Sequence, residues 1–547
     1  MMISKILFKT RLRVVWRNPN VPQQRFRSAR TLYQVRATHA SDEKSRQHSA
    51  TSNRELTRQL KRLRKTPLTA RRKAVEQLLR IEGQGAYTGL VGGSPDSYVE
   101  EIMSPSSTRV SAETGGGEPL EGAPVVKLSA RDARLTTDLV NGVTRWRRKL
   151  DFVLSDLCDL QKADAVVVQV LRVAAYELLE RGLPAHALSE HVEIAKRALH
   201  SGAAKFANGV LRNLARKIEA GQLPEVVQGR SAAATPEELA VRWSHPTWMV
   251  RRWVEQLGAE DAQRLLECNN RRPLHSIRVA GGPSAAADTL QLLREAGAEA
   301  SPSPLLPGAF VRVQSGLQKV LDGSILPRGS FAVQDESAGM VVMVLDPQPG
   351  ERVIDCCAAP GGKALFIAER MGNKGELTVM DANGRRLQAL RKALKDRGLD
   401  HVSVIEADLR RFAEAPANCG RFDRVLLDAP CSGLGVLSKR ADLRWRRSPE
   451  DLRASIALAV ELIEAAAVLV APGGVIVYST CSIDREENLV PVRHLLSHGA
   501  TTSSGQLKFE LASVSENASI PGNVIYEGMM ATFPHVHGVD GAFAAKF

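Results

Sequence analysis

The chain has 547 residues, enough for several domains that each bury a core. Hydrophobic residues make up 44% and charged residues 24% of the chain, a composition that argues against a disordered or fibrous protein. No run of 18 uncharged apolar residues occurs, so we expect no membrane span and no membrane partner. The formal charge of +14 is concentrated early, since residues 1–41 hold nine Lys or Arg and no acidic residue.

Residues 1–41 have the Arg-rich, acid-free composition of an organelle transit peptide and lack the apolar core of a secretory signal. The alternative is a basic arm that binds nucleic acid non-specifically. Composition alone does not separate plastid from mitochondrion. A basic linker is predicted over 42–68, and the helix-like segment 54–80 presents bases that are either solvated or in contact with RNA phosphates.

The segment 69–225 is predicted to be an all-helical domain. Apolar residues recur there at spacings of three and four. The predicted helices cover 70–81, 130–157, 165–180 and 187–199. Residues 83–124 interrupt this pattern with a stretch rich in Gly, Ser, Pro and Glu, which predicts a flexible, disordered insertion.

A connecting subdomain that binds RNA is predicted over 236–328. Its first part, 236–268, has a helical pattern. The aromatic and basic residues of this part are Trp243, Trp248 and Trp253 with Arg242, Arg251 and Arg252. Such a mixture can stack on bases and pair with phosphates. Trp at helical spacing more often fills a core, and the core interpretation is the favoured one.

From residue 329 to 547, short β-rich segments alternate with helical ones, which predicts an α/β domain with a doubly wound, mostly parallel sheet. The predicted strands are 352–357, 376–381, 402–408, 422–428 and 475–480. Ser448-Pro449-Glu450-Asp451 has the signature of a capped helix start. Ligands of such sheets bind at the carboxyl ends of the strands.

The first of these strands leads into Cys357-Ala358-Ala359-Pro360-Gly361-Gly362-Lys363, a turn of small residues that lets a ligand approach the backbone. The turn matches neither the dinucleotide nor the triphosphate motif. Asp381 and Asp408 end the next two strands, where they could accept hydrogen bonds from a ribose and from an adenine amino group, although either alone could be a helix cap. Together they favour a nucleoside cofactor without pyrophosphate, and S-adenosylmethionine is the common one.

The last two strands deliver Asp428-Ala429-Pro430-Cys431-Ser432-Gly433 and Ser479-Thr480-Cys481-Ser482. Two cysteines at a ligand-binding edge suit methylation of a pyrimidine at C5, because a thiolate that adds to C6 activates C5. Asp428 could interact with the N3 edge of the base. The base must be single-stranded or flipped, since its reacting atoms are inaccessible in a stack. Chemistry alone does not rank the two cysteines.

The remaining cysteines and histidines predict no metal site. The seven cysteines of the chain form no CxxC pair and are expected to be reduced thiols. His535 and His537 are expected to lie in a loop rather than to act as a ligand pair.

The glycine turn and the two cysteine motifs resemble those of the RNA 5-methylcytosine methyltransferases of the RsmB/Sun, Nop2-related family. The helical part is similar to the NusB-like domain of the bacterial ribosomal RNA members. The segments that carry this further likeness are 183–187, 193–197 and 206–212 in the helical part, and 331–338 and 540–543 beyond it.

The resemblance implies that Cys481 is the nucleophile, that Cys431 helps to release the product, and that residues 357–363, Asp381, Asp408 and Asp428 line the cofactor site. It implies a cytosine of small-subunit ribosomal RNA as substrate. With the transit peptide, this suggests an organellar ribosome, in a plastid rather than a mitochondrion. We expect a monomer.

Two alternatives remain open at this point. One is the same chemistry on transfer RNA, and the other is a NusB-like ribosome assembly factor with an inert methylase fold. The sequence departs from the family pattern in the Gly-rich insertion, at Ala441 and over 497–524, and these departures concern RNA fit more than catalysis.

Overall fold

The computed structural model describes residues 49–83, 128–228 and 234–547, apart from 322, 324, 328, 503, 504 and 518. The predicted transit peptide and residues 84–124 of the predicted insertion lie outside these described residues. The described residues fall into two compact units, 49–228 and 234–547. Within them, no helix is both long and apolar enough to cross a membrane.

The first unit is all-helical, as predicted. Its helices are α1 (Ser49–Arg64), α2 (Ala70–Gly83), α3 (Ala130–Ser155), α4 (Ala165–Glu180), α5 (Ser189–Ala198), α6 (Ser201–Glu219) and the short α7 (Glu225–Gln228). Helix α4 is buried over most of its length and packs in the core with Leu139 and Leu150 of α3. The helix-like segment 54–80 comprises two helices, because Pro67 lies between α1 and α2 and cannot continue a helical hydrogen-bond ladder.

The second unit begins with three short helices. They are α8 (Pro236–Arg242), α9 (Thr247–Leu257) and α10 (Ala259–Asn270). The helical pattern predicted over 236–268 is confirmed, and it is divided into three helices: Pro246 precedes α9, and Gly258 separates α9 from α10 with a φ of +86°. Trp253 is 1% exposed, which confirms the core interpretation for this residue.

A small antiparallel sheet follows that the sequence analysis did not predict. Its strands are β1 (His275–Val279), β2 (Ala300–Pro302), β3 (Phe310–Val313) and β4 (Phe331–Val333), in the order β2-β3-β1-β4. Helices α11 (Gly282–Glu295) and α12 (Leu317–Leu321) lie between the strands along the chain. Strands of three to five residues give too little alternation to be detected. The predicted boundary at residue 328 falls inside this sheet, since β4 lies beyond it.

The larger sheet has eight strands in the order β12-β13-β14-β9-β8-β5-β6-β7. Its strands are β5 (Arg352–Asp355), β6 (Glu376–Asp381), β7 (Ser403–Glu406), β8 (Phe422–Asp428), β9 (Val470–Thr480), β12 (Ile525–Tyr526), β13 (Met529–Thr532) and β14 (Ala542–Lys546), and β10 (Ala500–Thr502) pairs separately with β11 (Gly505–Leu507). Strands β5 to β9 are parallel, as predicted, and pair in the order expected for a doubly wound sheet. The antiparallel extension through β14, β13 and β12 was not predicted.

Helices cover the sheet and close its core. They are α13 (Glu336–Leu345), α14 (Gly362–Arg370), α15 (Gly384–Lys395), α16 (Leu409–Glu414), α17 (Leu443–Arg446), α18 (Pro449–Leu469), α19 (Arg485–His498) and α20 (Pro534–His537). Leu387, Leu390 and Leu394 of α15 are buried in this core, and burying each such side chain contributes about 1.5–3 kcal/mol. The predicted cap of α18 is confirmed, because Ser448 and Asp451 form a reciprocal capping box. His535 and His537 lie in the short helix α20 rather than in a loop, and His535 lies against Asp261 of α10 with a side chain that is 1% exposed.

Candidate active site

The predicted site residues meet at one edge of the larger sheet. Strands β6, β5, β8 and β9 are consecutive neighbours and parallel, so their carboxyl ends lie side by side. Asp381, Asp355 and Asp428 end β6, β5 and β8, and Cys481 follows β9 directly. The aspartates and the cysteine that follow these strands in the sequence therefore lie at one edge of the sheet.

The glycine turn runs from the end of β5 into α14. Gly361 has a φ of +112°, a conformation open mainly to glycine, and a Cβ there would overlap the side chain of Leu390. This close packing of Leu390 against the turn leaves no room for a side chain at position 361. Burial raises the pKa of the Cys357 thiol well above its usual range, so this residue lines the turn as a neutral group.

Asp381 is fixed by the turn itself. One carboxylate oxygen accepts a hydrogen bond from the Ala359 amide at 3.2 Å, and the other accepts from the Asn383 amide at 2.9 Å. Arg386 donates to the Ala359 carbonyl and lies 3.8 Å from the Asp381 carboxylate. Each carboxylate oxygen retains a second lone pair for a ligand hydroxyl.

Asp408 lies directly before α16, and its carboxylate is held by residues of that helix. Its side chain caps the helix through the Arg410 amide at 2.9 Å, and it also pairs with the Arg410 guanidinium at 2.6 Å. This ion pair lowers the pKa of Asp408 to about 2. The helix-cap interpretation weighed in the sequence analysis therefore describes what Asp408 does in the structure.

Lys363 and Asp428 form the charged centre of the site. Lys363 donates to one Asp428 oxygen at 2.7 Å, and the Ser479 hydroxyl donates to the other at 2.8 Å. Burial disfavours the ammonium, but the charge and the hydrogen bond of Asp428, with smaller contributions from Cys481 and Asp355, together raise the pKa of Lys363. The Asp428 carboxylate is thereby held in one orientation by α14 on one side and β9 on the other.

Asp355 was not among the predicted site residues, although it ends β5 directly before Cys356. It is 1% exposed, and among the described residues neither carboxylate oxygen has a hydrogen-bond partner of ordinary geometry, although the Cys357 amide lies close enough to favour the ionised form. Burial, and then the charge of Asp428, raise the pKa of Asp355 to about 8, and Lys363 opposes this only in part. Buried carboxyl groups are rarely left without donors, and such an orphan group marks a place where a ligand donor fits.

The thiols of Cys431 and Cys481 lie 3.1 Å apart. The hydrogen bond to Cys481, and then burial, raise the pKa of Cys431 well above its usual range. Either thiol could be the donor in this contact, so the distance between them does not rank the two cysteines.

Backbone packing fixes the loop that carries Cys481. The Gly435 amide donates to the Cys481 carbonyl at 3.0 Å, and the Gly541 amide donates to the Gly435 carbonyl at 2.8 Å. A Cβ on Gly435 would lie 2.8 Å from the Cys481 oxygen and 2.7 Å from the Gly541 carbonyl carbon. Only glycine fits at position 435, between these two segments. The spacing of motifs along the sequence did not indicate this requirement.

Lys439, in the loop after β8, links the segment before β14 to the start of α13. Lys439 donates to Asp335 and, at 2.9 Å, to Asp540. Burial, and then repulsion from Asp335, raise the pKa of Asp540 to about 7, while Lys439 holds the pKa of Asp335 below its usual range despite burial. The segments 331–338 and 540–543, noted for their family likeness, meet at this lysine.

A helical domain followed by a parallel sheet with these strand-end residues defines a Rossmann-like methyltransferase behind a NusB-like domain. Comparison with known families agrees. Residues 342–547 match the 16S rRNA methyltransferase RsmB/F family, 119–216 match the NusB family, and 245–316 match the RsmF/B-like ferredoxin-like domain. The small sheet β1 to β4 lies largely in this last segment.

Individual proteins give the same result. The chain is 33% identical to the probable ribosomal RNA small subunit methyltransferase B of Bacillus subtilis, over 76% of this chain and 90% of the relative. It is 34% identical to the ribosomal RNA small subunit methyltransferase B of Klebsiella pneumoniae, over 77% of this chain and 91% of the relative. The crystal structure of PH0851 has a TM-score of 0.63 and 28% identity, covering 76% of this chain and 90% of that one. The chain belongs to the ribosomal RNA small subunit methyltransferase B family, a family of S-adenosylmethionine-dependent RNA methyltransferases.

Proposed function

We propose that the protein methylates C5 of a cytosine in small-subunit ribosomal RNA through a covalent bond between Cys481 and C6. The observation that carries this proposal is the pair of thiols 3.1 Å apart beside the Lys363–Asp428 ion pair. The names of the relatives, which are small-subunit ribosomal RNA methyltransferases, support the choice of RNA.

The residues at the strand ends fit S-adenosylmethionine, which when bound supplies an electrophilic methyl group. Residues 357–363 provide a turn of small residues whose backbone a ligand can approach closely. Asp381 has lone pairs left that can accept hydrogen bonds from ribose hydroxyls. The buried carboxyl group of Asp355 can accept a hydrogen bond from a ligand donor. Asp408 would contact the adenine amino group only through lone pairs that Arg410 leaves open.

The chemistry of the protein residues begins at Cys481. Its thiolate would form a bond to C6 of the cytosine, and the electrons of the C5–C6 double bond would move to C5, which makes C5 nucleophilic towards the methyl group that the bound cofactor would supply. Asp428 lies beside the thiols, and a proton held between its carboxyl group and N3 would neutralise the negative charge that the adduct places on the base. Lys363 and Ser479 keep that carboxylate in place, so little reorganisation is needed during the reaction.

Cys431 acts in the second half of the reaction. Once Cys481 is bonded to C6, it no longer carries the charge that holds the proton on Cys431. Cys431 can then give up its proton to solvent and, as a thiolate, accept the C5 proton. The electrons re-form the C5–C6 double bond, and Cys481 leaves as a thiolate that the Cys431 thiol again stabilises.

Methyl transfer to unmodified small-subunit RNA tests the proposal, with protein lacking residues 1–41 and labelled S-adenosylmethionine. We expect C5 methylation in the wild type, none in Cys481→Ala, and a trapped protein–RNA adduct in Cys431→Ala. Cys158→Ala in the helical unit is the matched control, and it should behave as wild type. Methylation of transfer RNA alone would replace the substrate, and cofactor binding without transfer to any RNA would favour the assembly-factor alternative.

We also propose that residues 1–41 direct the protein to a plastid, on the basis of their Arg-rich, acid-free composition. A fusion of this segment to a fluorescent protein in plant cells tests the proposal. Fluorescence in mitochondria or in the cytosol would contradict it.

A further inference from the structure

Each of the two cysteines is followed by a serine, and the proposed chemistry uses neither serine. Ser432 and Ser482 are 1% and 0% exposed, and their hydroxyl oxygens lie 3.3 Å apart. The contact between the serines therefore parallels the contact between the thiols one residue earlier in each loop.

Glu487 holds the Cys431 side of this arrangement. One of its carboxylate oxygens accepts from the Ser432 amide at 2.7 Å, and the other accepts from the Ser432 hydroxyl at 2.6 Å. Glu487 is 1% exposed. Burial raises the pKa of Glu487, while its hydrogen bonds with Ser432 and Ser482 favour the ionised form. A buried carboxylate held by two short hydrogen bonds is a rigid connection.

Glu487 is itself fixed to the Cys481 side. It lies in the first turn of α19, where its amide donates to the capping residue Asp484 at 3.2 Å. Its backbone carbonyl accepts from the Tyr478 hydroxyl of β9 at 2.8 Å. The Ser482 hydroxyl accepts from the Asp484 amide at 3.1 Å, and its own proton is available to Ser432 or to Glu487. The two serine hydroxyls therefore meet at the Glu487 carboxylate.

We propose that Ser432, Ser482 and Glu487 form a clamp that sets the distance between the two thiols, with Glu487 as its positioning residue. The clamp joins the loop after β8 to the loop after β9, and the cysteines are the preceding residues of those loops. This inference rests on the proposed function. Adduct formation needs only Cys481, whereas release needs Cys431 close to the C5 proton.

The clamp therefore matters most for the second half of the reaction. Without Glu487, Ser432 next to Cys431 loses two hydrogen bonds, while the Cys481 carbonyl is still held by Gly435 further along the same loop and Cys481 still follows β9 directly. A displacement of about 1 Å in a reacting group costs on the order of a hundredfold in rate. Release should slow far more than adduct formation, and covalent protein–RNA adduct should accumulate in a protein with both cysteines intact.

The experiment compares the full-length wild type with Glu487→Ala, Glu487→Gln, Ser432→Ala and Ser482→Ala in single-turnover reactions that follow the adduct and the methylated product. Glu486→Ala is the matched control, because Glu486 occupies the same helical turn and its side chain is 61% exposed. Cofactor affinity and thermal unfolding are measured on each variant, and Cys431→Ala supplies the reference adduct.

We expect Glu487→Ala to form adduct within about threefold of the wild-type rate and to release it tenfold to a hundredfold more slowly. Glu487→Gln keeps one acceptor and should be intermediate, and Ser432→Ala extends the test if Glu487→Ala does not fold. A ratio of release to formation equal to that of the wild type in the folded variants would overturn the clamp. Absence of adduct in both wild type and Cys431→Ala would instead overturn the proposed function.

Discussion

Substitution of Gly435 by alanine tests whether the catalytic loop tolerates any movement. The new Cβ would lie 2.7 Å from the Gly541 carbonyl carbon and 2.8 Å from the Cys481 oxygen, and both neighbours are backbone. An ordinary contact between carbon atoms is about 3.5–4.0 Å, so the segments must separate by roughly 1 Å. Because both contacts are with backbone atoms, no side-chain rotation can relieve the overlap. The Cys481 carbonyl must move, and its hydrogen bond with the Gly435 amide is displaced with it.

We expect turnover of Gly435→Ala to fall by about a hundredfold, since a 1 Å displacement of a reacting group has an effect of that size. The overlap should also cost about 1–3 kcal/mol of stability. Single-turnover methyl transfer and denaturant unfolding measure the two effects separately. Gly522→Ala is the control, because a Cβ there meets nothing within 4 Å. Wild-type turnover in folded Gly435→Ala would refute the reasoning that this contact fixes Cys481.

Three further predictions concern buried charges. Lys363→Met should abolish detectable turnover and lower the free energy of unfolding by about 3 kcal/mol, because Asp428 loses its cation; wild-type kinetics would contradict this. The pKa of Asp355 is about 8 in the folded state and about 3.9 in the unfolded state. Between about pH 3.9 and about pH 8, the range between these two pKa values, folding therefore takes up a proton, and the free energy of unfolding falls as the pH rises. Asp355→Asn should flatten this part of the stability–pH curve in calorimetry, and an unchanged curve would show that Asp355 is already ionised. Arg252→Met should lower the free energy of unfolding by about 3 kcal/mol in denaturant, because the fully buried Asp484 at the start of α19 then lacks its arginine partner. Equal stability of Arg252→Met and Arg252→Lys would contradict this prediction.

The sequence predicted those parts of the site that depend on neighbouring residues. The bounds predicted for β6 and β8 are those of the structure, since both are apolar runs that end in an aspartate. Cys431 and Cys481 were found because each directly follows such a strand and its turn. The hydrophobic period and the strand ends are local properties of the chain, which is why they could be read without a structure.

The rest of the site depends on contacts between distant segments. Glu487 is 55 positions from Ser432, and Asp484 is 232 positions from Arg252. Nothing in the surroundings of Glu487 along the chain distinguishes it from Glu486, which is exposed. Asp408 shows the opposite case, because its position at a strand end indicated a ligand while the structure gives it a helix to cap and an arginine to pair with.

The pairing of β14 with β9 also bears on the order in which the domain folds. Thr480, next to Cys481, pairs with Phe543, and Ser479 pairs with Ala544, so the strand beneath the nucleophile gains one of its two neighbours from more than sixty residues later in the chain. Pairings of such long sequence separation form late, because the loop between them must close first. The parallel sheet and its cofactor edge can assemble before this event, but the Cys481 loop cannot. A chain stalled at that stage would hold cofactor without being able to transfer its methyl group.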